Sequence, residues 1–286
     1  FTNITDAAAV ESPLAVDTSL TEVYWNSLNG QPLPATLQEA REYADRLEER
    51  YGVTILLSAQ AQEACDAVWD ATITTTDQWP LEDEPHAIAR MLEALDRTLA
   101  LYPDGFFRQM KNTMGEGGVR FMPVGHIENA VNAIGLTYET YGWQNIYIDV
   151  TIDAFDGTIC HEIWHAIEGV LLTRNWDAIN QEEWAACNPA GFSYNEDAET
   201  PDSNPERWTF FYEFSAQDVY FVDAYSRTNA KEDRARIMEY IMATEDVAGA
   251  LVQSPAIAQK LQIMCRAIRE NFDTSSWGEL RWERVL

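Results

Sequence analysis

Two histidines four residues apart, with a glutamate directly after the first, form the part of the chain best suited to chemistry. His161, Glu162 and His165 spell H-E-x-x-H within the stretch "ICHEIWHAIEG". On an α-helix, residues four apart leave the same face one turn apart. Both imidazoles can therefore reach one Zn²⁺ ion, which binds histidine nitrogen at about 2.0–2.1 Å.

Glu162 has a different position on such a helix, about 100° further round the axis. It is poorly placed to be a third ligand, but it can reach a water held in the open position of the metal. Zinc lowers the pKa of such a water, and a carboxylate can take its proton as the water attacks a carbonyl. The motif thus predicts metal-assisted hydrolysis. The same residues also fit a core helix with two hydrogen-bonded histidines and no metal.

A catalytic zinc site needs a third protein ligand. The extended motif H-E-x-x-H-x-x-G-x-x-H is excluded, because Glu168 and Leu171 stand where it requires glycine and histidine. Glu168 lies on the histidine face but one turn further along, so we expect it either to contact a metal ligand or to form a salt bridge. Glu182 and Glu183 have the spacing of another ligand class, but they precede a loop and lack the surrounding pattern of that class.

The better candidate for the third ligand lies downstream, in the stretch "YSRTNAKEDRARIMEY" at 225–240. Glu232 opens a predicted helix that Thr-Asn precedes as a capping pair. A helix packed against the H-E-x-x-H helix can present this carboxylate to the zinc. Tyr225, seven positions earlier, can hydrogen-bond the oxyanion that forms when water adds to an amide. Asp223 and Asp233 are candidates to orient the zinc-binding histidines.

His161, Glu162 and His165, followed by Tyr225-x6-Glu232 and "EDRA", resemble the glutamate-liganded zinc metallopeptidases (gluzincins) of the anthrax lethal factor-like type. The pattern is also similar to zinc-binding metallopeptidases among exported bacterial proteins, including lipoproteins. The resemblance covers residues 161 to 240. It implies that the two histidines and Glu232 hold zinc, that Glu162 is the general base and that Tyr225 stabilises the oxyanion.

This chain departs from the family pattern at two positions. Trp164 precedes the second histidine, where a small or aromatic residue, often glycine, is usual. That change concerns the packing of the helix near the site rather than the ligands. Arg236 stands where the family pattern suggests a second acidic residue downstream of Glu232.

Periodicity and composition indicate which elements carry these residues. Helical spacing predicts helices at 37–51, 85–103, 154–173, 206–222, 231–244 and 255–271. Strands are predicted at 53–58, 119–124 and 145–150, with a loop or broken hairpin at 125–142 and a loop at 174–205. We expect the strand "NIYIDV", just upstream of the H-E-x-x-H helix, to be the sheet edge that holds an extended substrate.

This order of elements predicts an α+β, zincin-like metallopeptidase fold. A mixed sheet forms the N-terminal lobe, helices form the C-terminal lobe, and the active-site helix lies between them. For the 286 residues we predict a flexible leader at 1–20 and a single catalytic domain at 21–286, with lobes at 21–174 and 175–286.

Charge and composition limit the classes of partner. The net charge of −28 repels phosphate backbones and makes nucleic-acid binding improbable. No apolar run is long enough for a transmembrane helix. The small, polar and acidic leader suits a tether after an export signal or a lipid anchor. We therefore expect an extracellular or cell-surface-anchored bacterial protein.

The four cysteines match no CxxC pattern, so disulfides and buried thiols both remain open; they are Cys65, Cys160, Cys187 and Cys265. The sequence as a whole predicts a zinc metallopeptidase whose substrate is a peptide or protein. The alternative is a zinc-holding homologue without catalytic activity that binds a partner at the cell surface.

Overall fold

The computed structural model describes residues 33–57, 60–61, 72–74, 84–128, 133–152, 155–194 and 206–286. The predicted leader and Cys65 lie outside these residues. The helices are α1 Leu37–Tyr51, α2 Glu84–Leu99, α3 Phe155–Arg174, α4 Gln181–Ala186, α5 Ala230–Ala243, α6 Glu245–Leu251 and α7 Pro255–Asn271. The strands are β1 Thr54–Ile55, β2 Thr72–Thr74, β3 Gly118–Val124, β4 His126–Glu128, β5 Gly135–Thr140 and β6 Trp143–Asp149.

A four-stranded mixed sheet has the order β1-β3-β6-β5. The first three strands of that order run parallel to one another, and β5 runs antiparallel to β6, with Leu136 opposite Tyr147. Strands β2 and β4 form a separate antiparallel pair. Strands and a mixed sheet thus precede a helical second half, as predicted.

The prediction that "NIYIDV" forms the edge of the sheet was wrong. Strand β6, which holds all but the last residue of "NIYIDV", lies between β3 and β5, and the edge strands of the described sheet are β1 and β5. The β5–β6 hairpin closes at Tyr141 and Gly142, whose φ angles of 50° and 81° are those of a tight hairpin turn. The burial pattern along β5 is weak, since most of its side chains are only partly buried. The alternation of apolar and polar residues in its sequence spans only Leu136 to Glu139, too short a run to separate a strand from a loop.

Helix α3 packs against β5 and β6 on one side and against α5 on another. It is buried around nearly its whole circumference, as expected for a helix that is apolar on several faces. A close approach to the sheet occurs at Gly169, where a Cβ atom would lie 2.7 Å from Oε1 of Gln144. The H-E-x-x-H residues therefore lie on a helix that the core holds from several directions.

Helix α5 begins at a strong N-cap and is fixed to its neighbours by buried ion pairs. Asn229 accepts hydrogen bonds from the backbone N–H groups of Lys231 and Glu232, which satisfies two donors of the first turn. Arg234 donates two hydrogen bonds, of 2.8 and 2.6 Å, to the buried carboxylate of Glu168 on α3. The predicted salt bridge of Glu168 is thus confirmed, and it joins the two helices that carry the candidate ligands.

Helix α7 also holds α5. Nζ of Lys260 lies 2.7 Å from Oδ2 of Asp233, and both side chains are fully buried. The hydroxyl of Tyr194 donates to the same oxygen of Asp233 at 2.7 Å. An ion pair of this kind is stable only where further hydrogen bonds satisfy the buried charges.

The predicted helices at 37–51, 231–244 and 255–271 match α1, α5 and α7 closely. The predicted helix at 206–222 was wrong. Trp208 has a φ of 66°, outside the helical range, and its carbonyl accepts from the N–H groups of Tyr220 and Phe221 instead of from a following helical turn. This segment contains turns and the short 3₁₀ helix Ala216–Asp218. Conversely, helix α4 lies within the predicted loop at 174–205.

Among the described cysteines, Cys160, Cys187 and Cys265 are buried free thiols. None of the helices in the described ranges has the length and apolar character needed to cross a bilayer.

Candidate metal centre

Three side chains from two helices bring a donor atom each to one point. His161 and His165 come from α3, and their Nε2 atoms lie 3.1 Å apart. Oε2 of Glu232, from the first turn of α5, lies 3.0 Å from Nε2 of His161 and 3.4 Å from Nε2 of His165. The three ligands predicted from the sequence are thus brought together, although Glu232 is 71 positions from His161.

The donor set fits zinc in chemistry and in spacing. Two imidazoles and one carboxylate are a ligand set of catalytic zinc sites, which keep a fourth position open. With zinc–ligand bonds of about 2.0–2.1 Å, donors at tetrahedral corners lie about 3.3 Å apart. The observed separations of 3.1, 3.0 and 3.4 Å are close to that value. Two imidazole nitrogens this close cannot both direct lone pairs at each other, so a proton or a metal cation must be shared between them.

The charges around His161 favour a cation at this point. Burial lowers the pKa of His161, but hydrogen bonds to Glu232 and Glu239 outweigh burial and raise it to about 10. For Glu232, burial raises the pKa of the carboxyl, whereas the hydrogen bonds with His161 and His165 hold it well below the usual range. Glu232 is therefore an anion at neutral pH, as a zinc ligand must be.

Glu239 lies behind the imidazole of His161. Its Oε2 is 3.2 Å from Nδ1 of His161, on the opposite side of the ring from Glu232. Arg236 contacts the same carboxylate. Burial raises the pKa of Glu239, but Arg236 and His161 lower it below the usual value. A carboxylate that accepts from the second nitrogen of a metal-binding histidine fixes the orientation and tautomer of its ring.

The prediction that Asp223 and Asp233 orient the histidines was wrong. Asp223 binds Arg236 and therefore acts on the site only at a distance. Asp233 is paired with Lys260 in the core. A signal for Glu239 was present in the sequence: seven positions separate it from Glu232, which places both on one helical face, within about 20°. Arg236 contacts the carboxylate of Glu239 and fixes it.

Glu162 lies in the same cleft as the three donors. Its side chain is 5% exposed, and Oγ1 of Thr137 on β5 donates a hydrogen bond of 2.7 Å to its Oε2. The carboxylate is therefore next to the candidate centre without being one of its three donors, as its position on the helix predicts.

Tyr225 borders the cleft from the 3₁₀ helix Tyr225–Arg227. Its ring centroid is 6.1 Å from that of His161, and the charge of Glu232 acts on its phenol. Burial, together with the charges of Glu232 and Glu162, raises the pKa of this phenol well above its usual value. The hydroxyl is therefore protonated at neutral pH and able to donate a hydrogen bond.

The cleft has a volume of about 430 Å³ and opens between β5 and the two ligand-bearing helices. Strand β5 lines it along most of its length, from Gly135 to Glu139. The other acidic residues considered as ligands lie elsewhere or are already paired. Glu168 reaches the cleft wall but is bound to Arg234, and Glu183 binds Arg266.

No protein-family model matches the chain, and no curated protein matches it. Among solved structures, the chain is similar to a putative zinc-binding metallo-peptidase from Bacteroides caccae, with 13% sequence identity and a TM-score of 0.43. The match covers 88% of this chain and 92% of that one.

Proposed function

We propose that this chain is a zinc-dependent metallopeptidase of the glutamate-liganded, zincin-like type. His161, His165 and Glu232 are the zinc ligands, and Glu162 is the general base. The observation that carries the proposal is the convergence of three donor atoms 3.0 to 3.4 Å apart, with the separate carboxylate of Glu162 in the same cleft. A core helix with two structural histidines accounts for neither the third donor nor the cleft.

The side chains around the proposed zinc site have separate roles in hydrolysis. Zinc, when bound, supplies Lewis acidity, which lowers the pKa of water and polarises a carbonyl oxygen. Glu162 accepts a proton from the attacking water and delivers it to the amine that leaves as the C–N bond breaks. The phenol of Tyr225 donates a hydrogen bond to the oxyanion that forms on the former carbonyl oxygen.

The substrate is proposed to be a peptide or protein bound along β5. In the described part of the chain no strand pairs with the outer edge of β5, so its backbone N–H and C=O groups can pair with an extended chain. Because the same strand lines the cleft, a peptide added there runs past Glu162 and the three donors.

We propose that the enzyme acts outside the cytoplasm, either secreted or held at a bacterial cell surface. This part of the proposal rests on the composition of the N-terminal segment. Fractionation of the producing cells tests it, since recovery of the intact protein only from the cytosol contradicts it.

The alternative, a zinc-holding protein that binds partners without cleaving them, needs no general base. A peptide-library digest read by mass spectrometry separates the two functions. We expect cleavage products from the wild-type protein, none after chelation, and none from Glu162→Gln although that variant retains zinc. Glu182→Gln is the matched control, since Glu182 is exposed on α4, and it should cleave like wild type. Unchanged cleavage by Glu162→Gln contradicts the assignment of the base.

A further inference from the structure

We infer that Thr137 is a positioning residue for Glu162, and that β5 therefore both carries the substrate and orients the catalytic carboxylate. The inference rests on the proposed function. It adds a role for a strand residue that no sequence motif includes.

The contact between the two side chains is direct. Oγ1 of Thr137 donates at 2.7 Å to Oε2 of Glu162 and lies 3.1 Å from the backbone oxygen of the same residue. A threonine hydroxyl has a single proton to donate, and the shorter contact is to the charged acceptor. The hydroxyl thus fixes the carboxylate of Glu162 relative to strand β5.

Residue type supports a positioning role. Threonine is β-branched, so its χ1 angle is restricted and the direction of its hydroxyl is set by the strand backbone. Glutamate, by contrast, has a long side chain with many accessible rotamers. A rigid donor on β5 therefore selects one orientation of a flexible acceptor on α3.

Gly135, two positions earlier on the same face of β5, leaves room for the side chain of Glu162. A Cβ atom at this position would lie 2.8 Å from both Cγ and Oε1 of Glu162, and 2.7 Å from Cγ2 of Thr158. Any larger side chain at 135 must displace the glutamate or the helix. The alternation of strand side chains places Gly135 and Thr137 side by side, so one residue makes room and the other binds.

Among the described strands none pairs with the outer edge of β5, so a peptide that pairs there runs alongside Thr137, the residue that holds the base. A shift of the strand then moves the base together with the peptide. The contact keeps the carboxylate in register with the bond to be cleaved.

The test compares Thr137→Val, which keeps the shape and removes the hydroxyl, with Thr137→Ser, which keeps a hydroxyl. We expect Thr137→Val to lose kcat by about tenfold to a hundredfold, less than the 10²–10⁴-fold attributable to general base catalysis. KM and zinc affinity should stay within about twofold, and Thr137→Ser should recover most of kcat. The matched control is Thr140→Val on the same strand, whose hydroxyl accepts from Asn145 and does not contact Glu162.

A double-mutant cycle for unfolding, built from Thr137→Val and Glu162→Gln, gives a readout that is independent of activity. Coupling between the two changes is expected, because Thr137→Val removes the donor of the hydrogen bond and Glu162→Gln removes the charge of its acceptor. Equal kcat in wild type and Thr137→Val, or equal losses in the valine and serine variants, overturns the inference and leaves the proposed function standing. If no variant cleaves peptides, the proposed function fails, and the cycle alone decides: coupling supports the positioning contact and additivity overturns it.

Discussion

Nδ1 of His161 lies 3.2 Å from Oε2 of Glu239, while Nε2 of the same ring lies 3.0 Å from Oε2 of Glu232. One imidazole is thus held between two carboxylates of a single helix, two turns apart. The carboxylate of Glu239 is fixed by Arg236 and lies against Gly157, where a Cβ atom would lie 3.0 Å from Oε1 of Glu239. The orientation of a ligand on α3 is therefore controlled from α5.

Replacing Glu239 by glutamine should weaken zinc binding without removing a ligand. The expected loss of affinity is about tenfold to a hundredfold, as is usual for partners that orient metal-binding histidines. Competition with a chromogenic chelator measures it. Glu245→Gln, at an exposed position in the first turn of α6, is the control. Wild-type affinity in Glu239→Gln contradicts the orienting role.

The stability of the chelated protein should depend on pH through His161 and Glu232. The pKa of His161 is raised from an ordinary 6.5 to about 10, so its contribution is complete below pH 6.5 and is lost as the pH rises towards 10. The pKa of Glu232 is lowered from an ordinary 4.5, so its contribution is present above pH 4.5 and is lost on further acidification. Stability from this pair is therefore greatest between pH 4.5 and 6.5.

Denaturant unfolding of the chelated protein across pH 4 to 10 measures this dependence. His161→Ala should lose the alkaline part of the profile, since the group that titrates there is gone. A wild-type profile identical to that of His161→Ala contradicts the assignment.

The ion pair between Arg234 and Glu168 should matter for stability more than an exposed pair does. Removing one partner of a buried pair leaves an uncompensated charge and costs about 3–5 kcal/mol. Glu168→Gln should therefore lower the free energy of unfolding by a few kcal/mol. Arg266→Met breaks the more exposed pair with Glu183 and should change it by less than about 1 kcal/mol. Equal effects of the two changes contradict this view of how α3 and α5 are joined.

Tyr225→Phe should keep zinc and lose rate. If the phenol donates to the oxyanion, removing it should lower kcat by about 10²–10³-fold, as removal of an oxyanion donor does elsewhere. Steady-state kinetics on a peptide identified by the library digest measures the loss. Tyr212→Phe, at an exposed tyrosine outside the cleft, is the control. An unchanged kcat in Tyr225→Phe limits its role to packing.

The sequence predicted the three donors and the helices that carry them, because H-E-x-x-H has a defined helical geometry and the downstream segment has clear capping and periodicity. It did not predict β5 as the edge strand. The side chains of β5 are largely half-buried, and its identity depends on pairing with β6. Thr137 was missed for the same reason, since its role depends on a contact with Glu162 across 25 positions of the chain.

Glu239 shows a different limit. Its spacing from Glu232 indicated a shared helical face, but only the packing of α5 on α3 shows that the face meets His161. The segment at 206–222 was predicted as a helix, whereas the positive φ angle at Trp208 interrupts the helical backbone and the segment is irregular.

Titration of the chelated protein with zinc, with peptide cleavage followed at each step, tests whether the three donors form a catalytic zinc site. We expect cleavage to rise to a plateau at one zinc per chain. We also expect Glu162→Gln to take up the same amount of zinc without cleavage, and Glu232→Ala to show neither stoichiometric binding nor cleavage. Cleavage that does not depend on zinc, or that persists in Glu232→Ala, would contradict this assignment.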